Sequence, residues 1–361
     1  MVEGQRSEPI DDGPPFTLVT VPEPLSASNA TLHRTFRRIV YLLGVTGEIG
    51  FQLLHHGVDT ARRLPRGDLY YLHAPQQFPA IALGCHRAPT PFIYDAHDYY
   101  SGGEEDPRSV GERIRARWLL AVERACVLRA AEVVTTSEGN AAALEATFGR
   151  RPEVIYNTHD ARLDRSAAPT VREECGLSMG TFLVVVAGNA KAGAAIDNVL
   201  CALMSVAGDI HVAFVGNGYE QHRAVAGKLG VGDRAHFLDP VPPTEYAQFV
   251  ATADVALIPY FAHNRAYRNA IGNRFFVAIA AGLPVLYPID LPDLARLAEK
   301  HRVGLEIDSR RHETIAAAIA KLRADPELLA TLRANVTEAA GELSWEGEES
   351  NLRHLVDRVL E

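Results

Sequence analysis

Short apolar runs alternate with longer stretches of helical period along most of this chain. In the first half, strands are expected over residues 16–21, 68–73, 91–96, 132–136 and 154–155. Between them, apolar residues recur at three- and four-residue spacing, which predicts helices over 35–64, 77–86, 110–130 and 139–148. The strands are apolar at consecutive rather than alternate positions. That pattern belongs to strands buried on both faces, as in a parallel sheet covered by helices. Residues 158–177 break the rhythm, with no clean period and an Ala167-Ala168-Pro169 run, and read as a connection between domains. The rhythm then restarts, with strands expected over 182–187, 211–216, 235–238, 255–259, 284–287 and 305–307. Helices are expected over 195–206, 219–229, 245–253, 273–281, 291–300 and 313–322. Leu352, Leu355, Val356 and Leu360 line one side of a last helix.

The expected fold class is therefore α/β, with two Rossmann-like parallel-sheet domains in series. A length of 361 residues, 47% of them hydrophobic, suits two such cores. The expected division is a disordered tail over 1–15, domains over 16–165 and 178–345, and a terminal helix over 346–361 that packs back on the first domain. A net charge of −9 carries no global basic footprint for nucleic acid. Cys85, Cys126, Cys175 and Cys201 are far apart and form no Cys-x-x-Cys pair, so buried reduced thiols are expected rather than a zinc site or disulfides. The polar, acidic N-terminal residues do not read as a signal peptide, and no run approaches the ~20 apolar residues of a membrane span. These features point to a cytoplasmic protein.

Residues 254–285 carry the densest chemistry. A buried strand leads into a polar loop from Tyr260 to Gly272 that holds His263, Asn264, Arg265, Arg268 and Asn269. Gly272 opens a helix. Gly282 is placed to end it in the left-handed conformation, and Pro284 blocks its return. The first turn of a helix offers unpaired N–H groups and a partial positive charge, which suits a phosphate. Arg274 sits in that turn, where a cation is disfavoured. Either an anion resolves the conflict or Arg274 reaches into solvent. Elsewhere, Gly216 and Gly218 permit close approach of another backbone. His97 and Asp98 follow an expected strand end, and His73 lies at another. A cleft, a helix cap and, less readily, a metal site are the roles open to them.

Several of these segments resemble family 4 glycosyltransferases of the GT-B fold, in the expected order. Gly272-Asn273-Arg274-Phe275-Phe276-Val277 followed by Ala281-Gly282-Leu283-Pro284-Val285 is similar to that family's donor-binding Pro-Asn-Lys-Leu-Phe-Glu and Ala-Gly-Leu-Pro-Val. Tyr94-Asp95-Ala96-His97-Asp98 resembles its Tyr-Asp-Ala-His-Glu. Residues 133–140, Val154-Ile155-Tyr156-Asn157 and Phe214-Val215-Gly216-Asn217-Gly218 fit further pieces. Gly44-Val45-Thr46-Gly47 stands in for a glycine-rich acceptor loop. The resemblance covers roughly residues 68–322.

That resemblance implies two domains facing each other across a cleft, the first binding acceptor and the second the nucleotide sugar. The implied reaction retains configuration at the anomeric carbon and moves a sugar from a UDP- or GDP-sugar. With no strong membrane anchor of the sort a polyprenyl-linked acceptor favours, a small polar acceptor is expected, in a specialised-metabolite pathway. The nucleotide sugar is a substrate, and no further cofactor is implied. The chain contains no Asp-x-Asp metal clamp, so metal-independent transfer is expected. Arg274, Lys191, His97 and Asp98 are the implied catalytic residues. Gly188, Asn189, Gly216, Asn217, Tyr260, Arg268, Asn269, Gly272 and Asn273 are the implied donor-binding residues, with the base near 236–240. Two family glutamates are replaced by Asn269 and Val277, and a valine cannot bond a ribose hydroxyl. A family basic residue aligns with Ala194-Ala195, for which Lys191 is the substitute. These losses leave either a rebuilt donor site or a catalytically silent partner protein, and a sugar-nucleotide epimerase of the same architecture is a further alternative. Arg113, Arg115 and Arg117 on the 110–124 helix read as a solvated face, with a phosphorylated acceptor or weak peripheral contact with an anionic membrane as the other readings.

Overall fold

A computed structural model of the protein describes residues 49, 57–58, 60–84, 90–102, 109–159 and 169–361. The strand expected over 16–21, most of the 35–64 helix, the 1–15 tail, Gly44–Gly47 and Cys85 lie outside the described residues. The chain divides into two compact units. One comprises residues 1–135, 141–153 and 355–361, and the other 136–140 and 154–354.

The first unit holds a four-stranded sheet in the order β1 (Tyr70–Leu72), β2 (Phe92–Ala96), β3 (Glu132–Thr135), β4 (Glu153–Val154). β1, β2 and β3 pair in parallel, with Leu72 opposite Tyr94 and Asp95 opposite Val134. All five residues of β2 are buried. Helix Val110–Arg129 begins at a complete capping box, in which Ser109 accepts from the Glu112 N–H and Glu112 accepts from the Ser109 N–H. It buries Val122, Glu123, Cys126 and Val127. Glu123 is a buried carboxylate that accepts from the Ser101 N–H at 2.8 Å, the Tyr100 N–H at 3.2 Å and the Tyr94 hydroxyl at 3.3 Å. Burial pushes its pKa up against those bonds.

The second unit holds a six-stranded sheet in the order β10-β9-β8-β5-β6-β7, all parallel. The strands are β5 (Phe182–Ala187), β6 (Ile210–Val215), β7 (Ala235–Leu238), β8 (Val255–Leu257), β9 (Val285–Pro288) and β10 (Gly304–Ile307). Read from β7, the six run third, second, first, fourth, fifth, sixth, which is the Rossmann order. The direction of winding reverses between β5 and β8. Ligands of such sheets bind beyond the carboxyl ends of the strands at that reversal.

β5 is buried at every position and feeds two cores, one on each face. Helix Asn273–Ala280 belongs to one of them and buries Phe275 to Ile279 without a break. It ends as its sequence predicts. Gly282 has φ +74°, and the Leu283 and Gly282 N–H groups donate to Ala278 and Ile279 carbonyls, a Schellman arrangement.

Two of the departures from expectation lie outside the sheets. Residues 170–177 are not featureless. They contain the short helix Val171–Glu174, too brief to show a period, whose buried Arg172 donates to Ser178 and Thr181 carbonyls and to Asp254. Helix Pro326–Glu342 is an element the sequence reading lacks. Its start was written in Asp325-Pro326, since the Asp325 carboxylate caps the Leu328 N–H at 2.9 Å.

Candidate functional site

The second unit's carboxyl edge converges on the turn after β5. Gly188 has φ +88° and Gly216 φ +135°, conformations that favour glycine. A Cβ at Gly216 would lie 2.8 Å from the Gly188 carbonyl carbon, so the turns after β5 and β6 pack backbone to backbone. The Asn217 N–H donates to Asn189 Oδ1 at 2.8 Å, and the Ala190 N–H donates to the Asn217 carbonyl at 2.8 Å. Gly218, at φ +87°, continues the same contact against Ala190.

Three tyrosine hydroxyls hold this turn. Tyr219 donates to the Gly188 carbonyl at 2.5 Å. Tyr260 donates to the Asn189 carbonyl at 3.0 Å. Tyr246 accepts from the Gly188 N–H at 2.6 Å and donates to the Val215 carbonyl at 2.5 Å. Burial raises the pKa of all three, that of Tyr246 to about 12, so they remain neutral donors. Tyr219 and Tyr246 are absent from the sequence reading. No motif marks them, because the carbonyls they reach come from distant strands.

Arg274 crosses to the same turn. Its Nε donates to the Ala187 carbonyl and its Nη2 to the Asn189 carbonyl, and its guanidinium carbon lies 4.1 Å from the Tyr260 ring centroid. It therefore does not reach into solvent, and that alternative is corrected. Lys191 is exposed on the same loop and lines a cavity of about 660 Å³ with Ala190, Ala194, Gly218, Glu220 and His222. Gly188, Asn189, Lys191, Gly216, Asn217, Tyr260 and Arg274 thus share one edge of the sheet.

The remaining donor-side residues sit apart from that cluster. Asn269 ends the short helix Arg265–Arg268 and turns to residues 136–140 of the same unit. It donates to the Gly139 carbonyl at 3.1 Å, and its own carbonyl accepts from Ser137 Oγ at 2.7 Å. Gly272 starts the 273–280 helix without a side-chain cap. Asn273 accepts from Asn157 Nδ2 at 2.8 Å, and Arg268 is exposed. Val277 is buried among apolar neighbours.

In the first unit, Asp95 is the hub. It is buried at the end of β2, with Oδ2 at 3.2 Å from His73 Nδ1 and Oδ1 at 3.7 Å from His97 Nδ1. Burial alone would raise the Asp95 pKa, but hydrogen bonds from His73 and His97 outweigh it and lower it. In return, hydrogen bonding to Asp95, with its charge and that of Asp98, raises the His97 pKa against desolvation. Asp98 is exposed. The sequence reading singled out the two histidines and not the carboxylate that joins them. Among the described residues, no three His, Cys, Asp or Glu side chains are grouped to hold a metal ion, and no helix is long and apolar enough to cross a membrane.

Residues 181–325 match the family model described as glycosyl transferases group 1. Over those residues the chain is similar to that family. The D-inositol 3-phosphate glycosyltransferase of Rhodococcus opacus is 29% identical over 137 residues, which is 38% of this chain and 28% of that protein. The Corynebacterium glutamicum protein of that name is 29% identical over 141 residues, 39% of this chain and 32% of its own length. The match therefore spans about a third or less of these curated relatives. Among solved structures, sucrose-phosphate synthase from Thermosynechococcus elongatus superposes with a TM-score of 0.67 at 17% identity, covering 96% of this chain and 81% of that one. Anabaena HepE in complex with UDP also gives 0.67, at 18% identity, covering 83% and 81%. The fold class is GT-B, α/β with two parallel sheets. The matched stretch contains the whole β5 turn, Tyr219, Tyr246, Tyr260 and Arg274.

Proposed function

We propose that the chain is a metal-independent, retaining glycosyltransferase that moves a sugar from a UDP- or GDP-sugar to a small polar acceptor. The observation that carries this is Arg274, held across the β5 turn at the point where a Rossmann-ordered sheet takes its ligand. HepE, which shares the fold, has been solved with UDP and with UDP-glucose.

In such a transfer the bond from the anomeric carbon to the distal phosphate oxygen breaks, and the electron pair stays with the phosphate. The acceptor hydroxyl oxygen bonds to the same face of that carbon, and its proton passes to the departing phosphate oxygen. Negative charge grows on the departing diphosphate, so fixed cations and N–H groups aimed there lower the barrier most. Arg274 and Lys191 are the cations for this role, helped by the N–H groups at Gly272–Asn273. The Gly188 to Asn189 turn and the Gly216 to Asn217 turn supply the backbone surface against which a diphosphate lies. Tyr260, Arg268 and Asn269 serve the donor loop. Acceptor recognition falls to the first unit, where His97 and Asp98 lie past β2.

A second reading has its own observation. Val277 is in the core and Asn269 is spent on Gly139, so neither family glutamate has a replacement at its position. A silent partner protein would look the same there. Thermal unfolding with a panel of UDP- and GDP-sugars separates the two, since a ligand at a hundred times its Kd adds about 2.7 kcal/mol to stability. No shift with any nucleotide would favour the silent partner. Release of free nucleoside diphosphate without any acceptor would favour neither transfer nor silence. Release that depends on acceptor, persists in EDTA and yields an axial or equatorial linkage matching the donor supports the reading.

A further inference from the structure

β8, β9 and β10 lie side by side in the second sheet, and the chain leaving each of them meets at Ala262. The Ala262 N–H donates at 3.1 Å to Oδ2 of Asp290, just past β9. The Ala262 carbonyl accepts at 3.2 Å from Nη2 of Arg310, just past β10. Arg310 Nη1 donates to the same Asp290 oxygen, and its guanidinium carbon lies 4.5 Å from the Phe261 ring centroid. Both backbone groups of one loop residue are thus held by the two halves of one ion pair, as a neighbouring strand would hold them. Arg310 leaves from a fixed turn. Its N–H donates to Asp308 Oδ1 at 3.0 Å, and the Ser309 carbonyl beside it accepts from Asn198 Nδ2 at 2.9 Å.

The Arg310 side chain is 50% exposed and that of Asp290 25%. An ion pair this open adds little to folding through its charges alone. Its effect is local, on a stretch of loop that is tied in turn to the turn after β5. The Ala195 N–H donates to the Pro259 carbonyl at 2.7 Å, Tyr260 bridges to Ala194, and the Phe261 N–H donates to the Gly193 carbonyl at 3.0 Å. Gly193 has φ +83°, and a Cβ there would lie 2.7 Å from the Phe261 carbonyl oxygen. Tyr260, two residues before the clamped peptide, holds the Asn189 carbonyl with its hydroxyl and carries Arg274 on its ring.

We infer that Asp290 and Arg310 are positioning residues for the donor diphosphate. By fixing both peptide groups of Ala262 they set where Tyr260 stands, and through it Arg274 and the 188–194 loop. The inference rests on the reading of the β5 turn as the diphosphate site. What the pair recognises is the direction of the Ala262 peptide, with the carboxylate on its N–H and the guanidinium on its carbonyl. The order of the two charges therefore matters, and not only their proximity.

The test compares the full wild-type chain with Arg310→Ala, Asp290→Ala, Arg310→Lys and the exchanged pair Asp290→Arg with Arg310→Asp. Amide hydrogen exchange and the affinity for UDP and for GDP by calorimetry are measured at a temperature where melting curves show every chain folded. In the two alanine variants, peptides covering 259–263 should exchange several-fold faster. Their affinity for the nucleotide that the wild type binds should fall about tenfold, the scale of one charge-assisted hydrogen bond. Arg310→Lys should recover part of this, since an ammonium keeps the charge but not the fork. The exchanged pair should recover none of it, because a guanidinium then faces the N–H and a carboxylate the carbonyl. Unchanged exchange in both alanine variants overturns the clamp. Faster exchange with unchanged nucleotide affinity overturns the positioning role, and so does full recovery by the exchanged pair, which would leave an ordinary ion pair. A wild-type chain that binds neither nucleotide overturns the donor reading and this role with it, so the wild type alone tells the two failures apart.

Discussion

Arg274 lies over Tyr260, its guanidinium carbon 4.1 Å from the ring centroid, while the Tyr260 hydroxyl and Arg274 Nη2 donate to the same Asn189 carbonyl. The pair closes a ring of contacts from the 273–280 helix through β8's exit to the β5 turn. A cation in the first turn of a helix opposes the helix dipole. Two carbonyls and a ring face offset that conflict here. They also hold the cation beside the β5 turn.

Removing the Arg274 side chain should therefore act on turnover more than on folding. Arg274→Ala is expected to lose about 3 kcal/mol of transition-state stabilisation, roughly a hundredfold in kcat/KM. Arg274→Lys should recover part of the loss, since an ammonium keeps the charge but not the fork that spans two carbonyls. Steady-state rates of acceptor-dependent nucleotide release check this. A turnover unchanged in Arg274→Ala would remove the residue from the site.

The Asp95 cluster makes a prediction in pH. Asp95 has its pKa lowered below the ordinary 3.8 and His97 has its pKa raised above the ordinary 6.5. The Asp95 contribution to stability is present above 3.8 and is lost as pH falls through its lowered value. The His97 contribution is complete below 6.5 and is lost as pH rises through its raised value. The interaction is thus strongest in mildly acidic solution. Asp95→Asn should bring the His97 titration, followed by NMR of the ring protons, down to or below the ordinary value. It should also flatten the fall in stability above pH 6.5. A His97 titration unmoved by Asp95→Asn would show that the carboxylate does not set its charge.

Gly216 tests how closely the two turns must approach. Its φ of +135° is strained for any side chain, and an added Cβ would sit 2.8 Å from the Gly188 carbonyl carbon and 3.0 Å from the Asn189 nitrogen. Backbone strain of this kind costs on the order of 1–3 kcal/mol. Gly216→Ala should lower the melting temperature and, by displacing Asn189, weaken the nucleotide response by more than the stability loss explains. Melting curves with and without UDP separate the two effects. An unchanged response would mean that the β5 turn does not bind nucleotide.

The second sheet was legible because each of its strands is a short apolar run bounded by glycine, proline or charge. β5 and β7 agree with the sequence at both ends. β8 stops two residues short of expectation at Leu257; the Ile258 N–H still donates to the Leu286 carbonyl at 2.9 Å, but the Tyr260 N–H turns back to the Ile258 carbonyl and does not continue the ladder. The Schellman end at Gly282 was equally visible, since only a few residue types suit that conformation. Helix Pro326–Glu342 was overlooked although Asp325-Pro326 marks its start and Leu332, Val336 and Ala339 its buried side. At the site, glycines and cations show in the sequence by their chemistry alone. Tyr219, Tyr246 and Asp95 do not, because their importance is a partner that only the folded chain brings near. Asn269 had the right chemistry for a sugar hydroxyl, yet its amide is engaged by the Gly139 carbonyl, a residue 130 positions away.

Arg172 provides a control at the opposite end of β5. It is 4% exposed and donates to the carbonyls of Thr252, Ser178 and Thr181 and to Asp254 Oδ2 at 2.9 Å. Asp254 also accepts from the Leu183 N–H at 2.8 Å and meets Arg333 at 3.1 Å. Deleting one partner of a buried pair leaves the rest desolvated and unmatched, at a cost of about 3–5 kcal/mol. Arg172→Ala should therefore lower the melting temperature by on the order of 10 °C for a unit of this size. The candidate site lies at the carboxyl ends of the strands and Arg172 at their amino ends, so under the proposed function a melting shift with UDP or GDP should persist at its wild-type size. A variant that keeps its stability would show the network to be dispensable. One that loses the UDP shift while still folded would show the two ends of the sheet to be coupled.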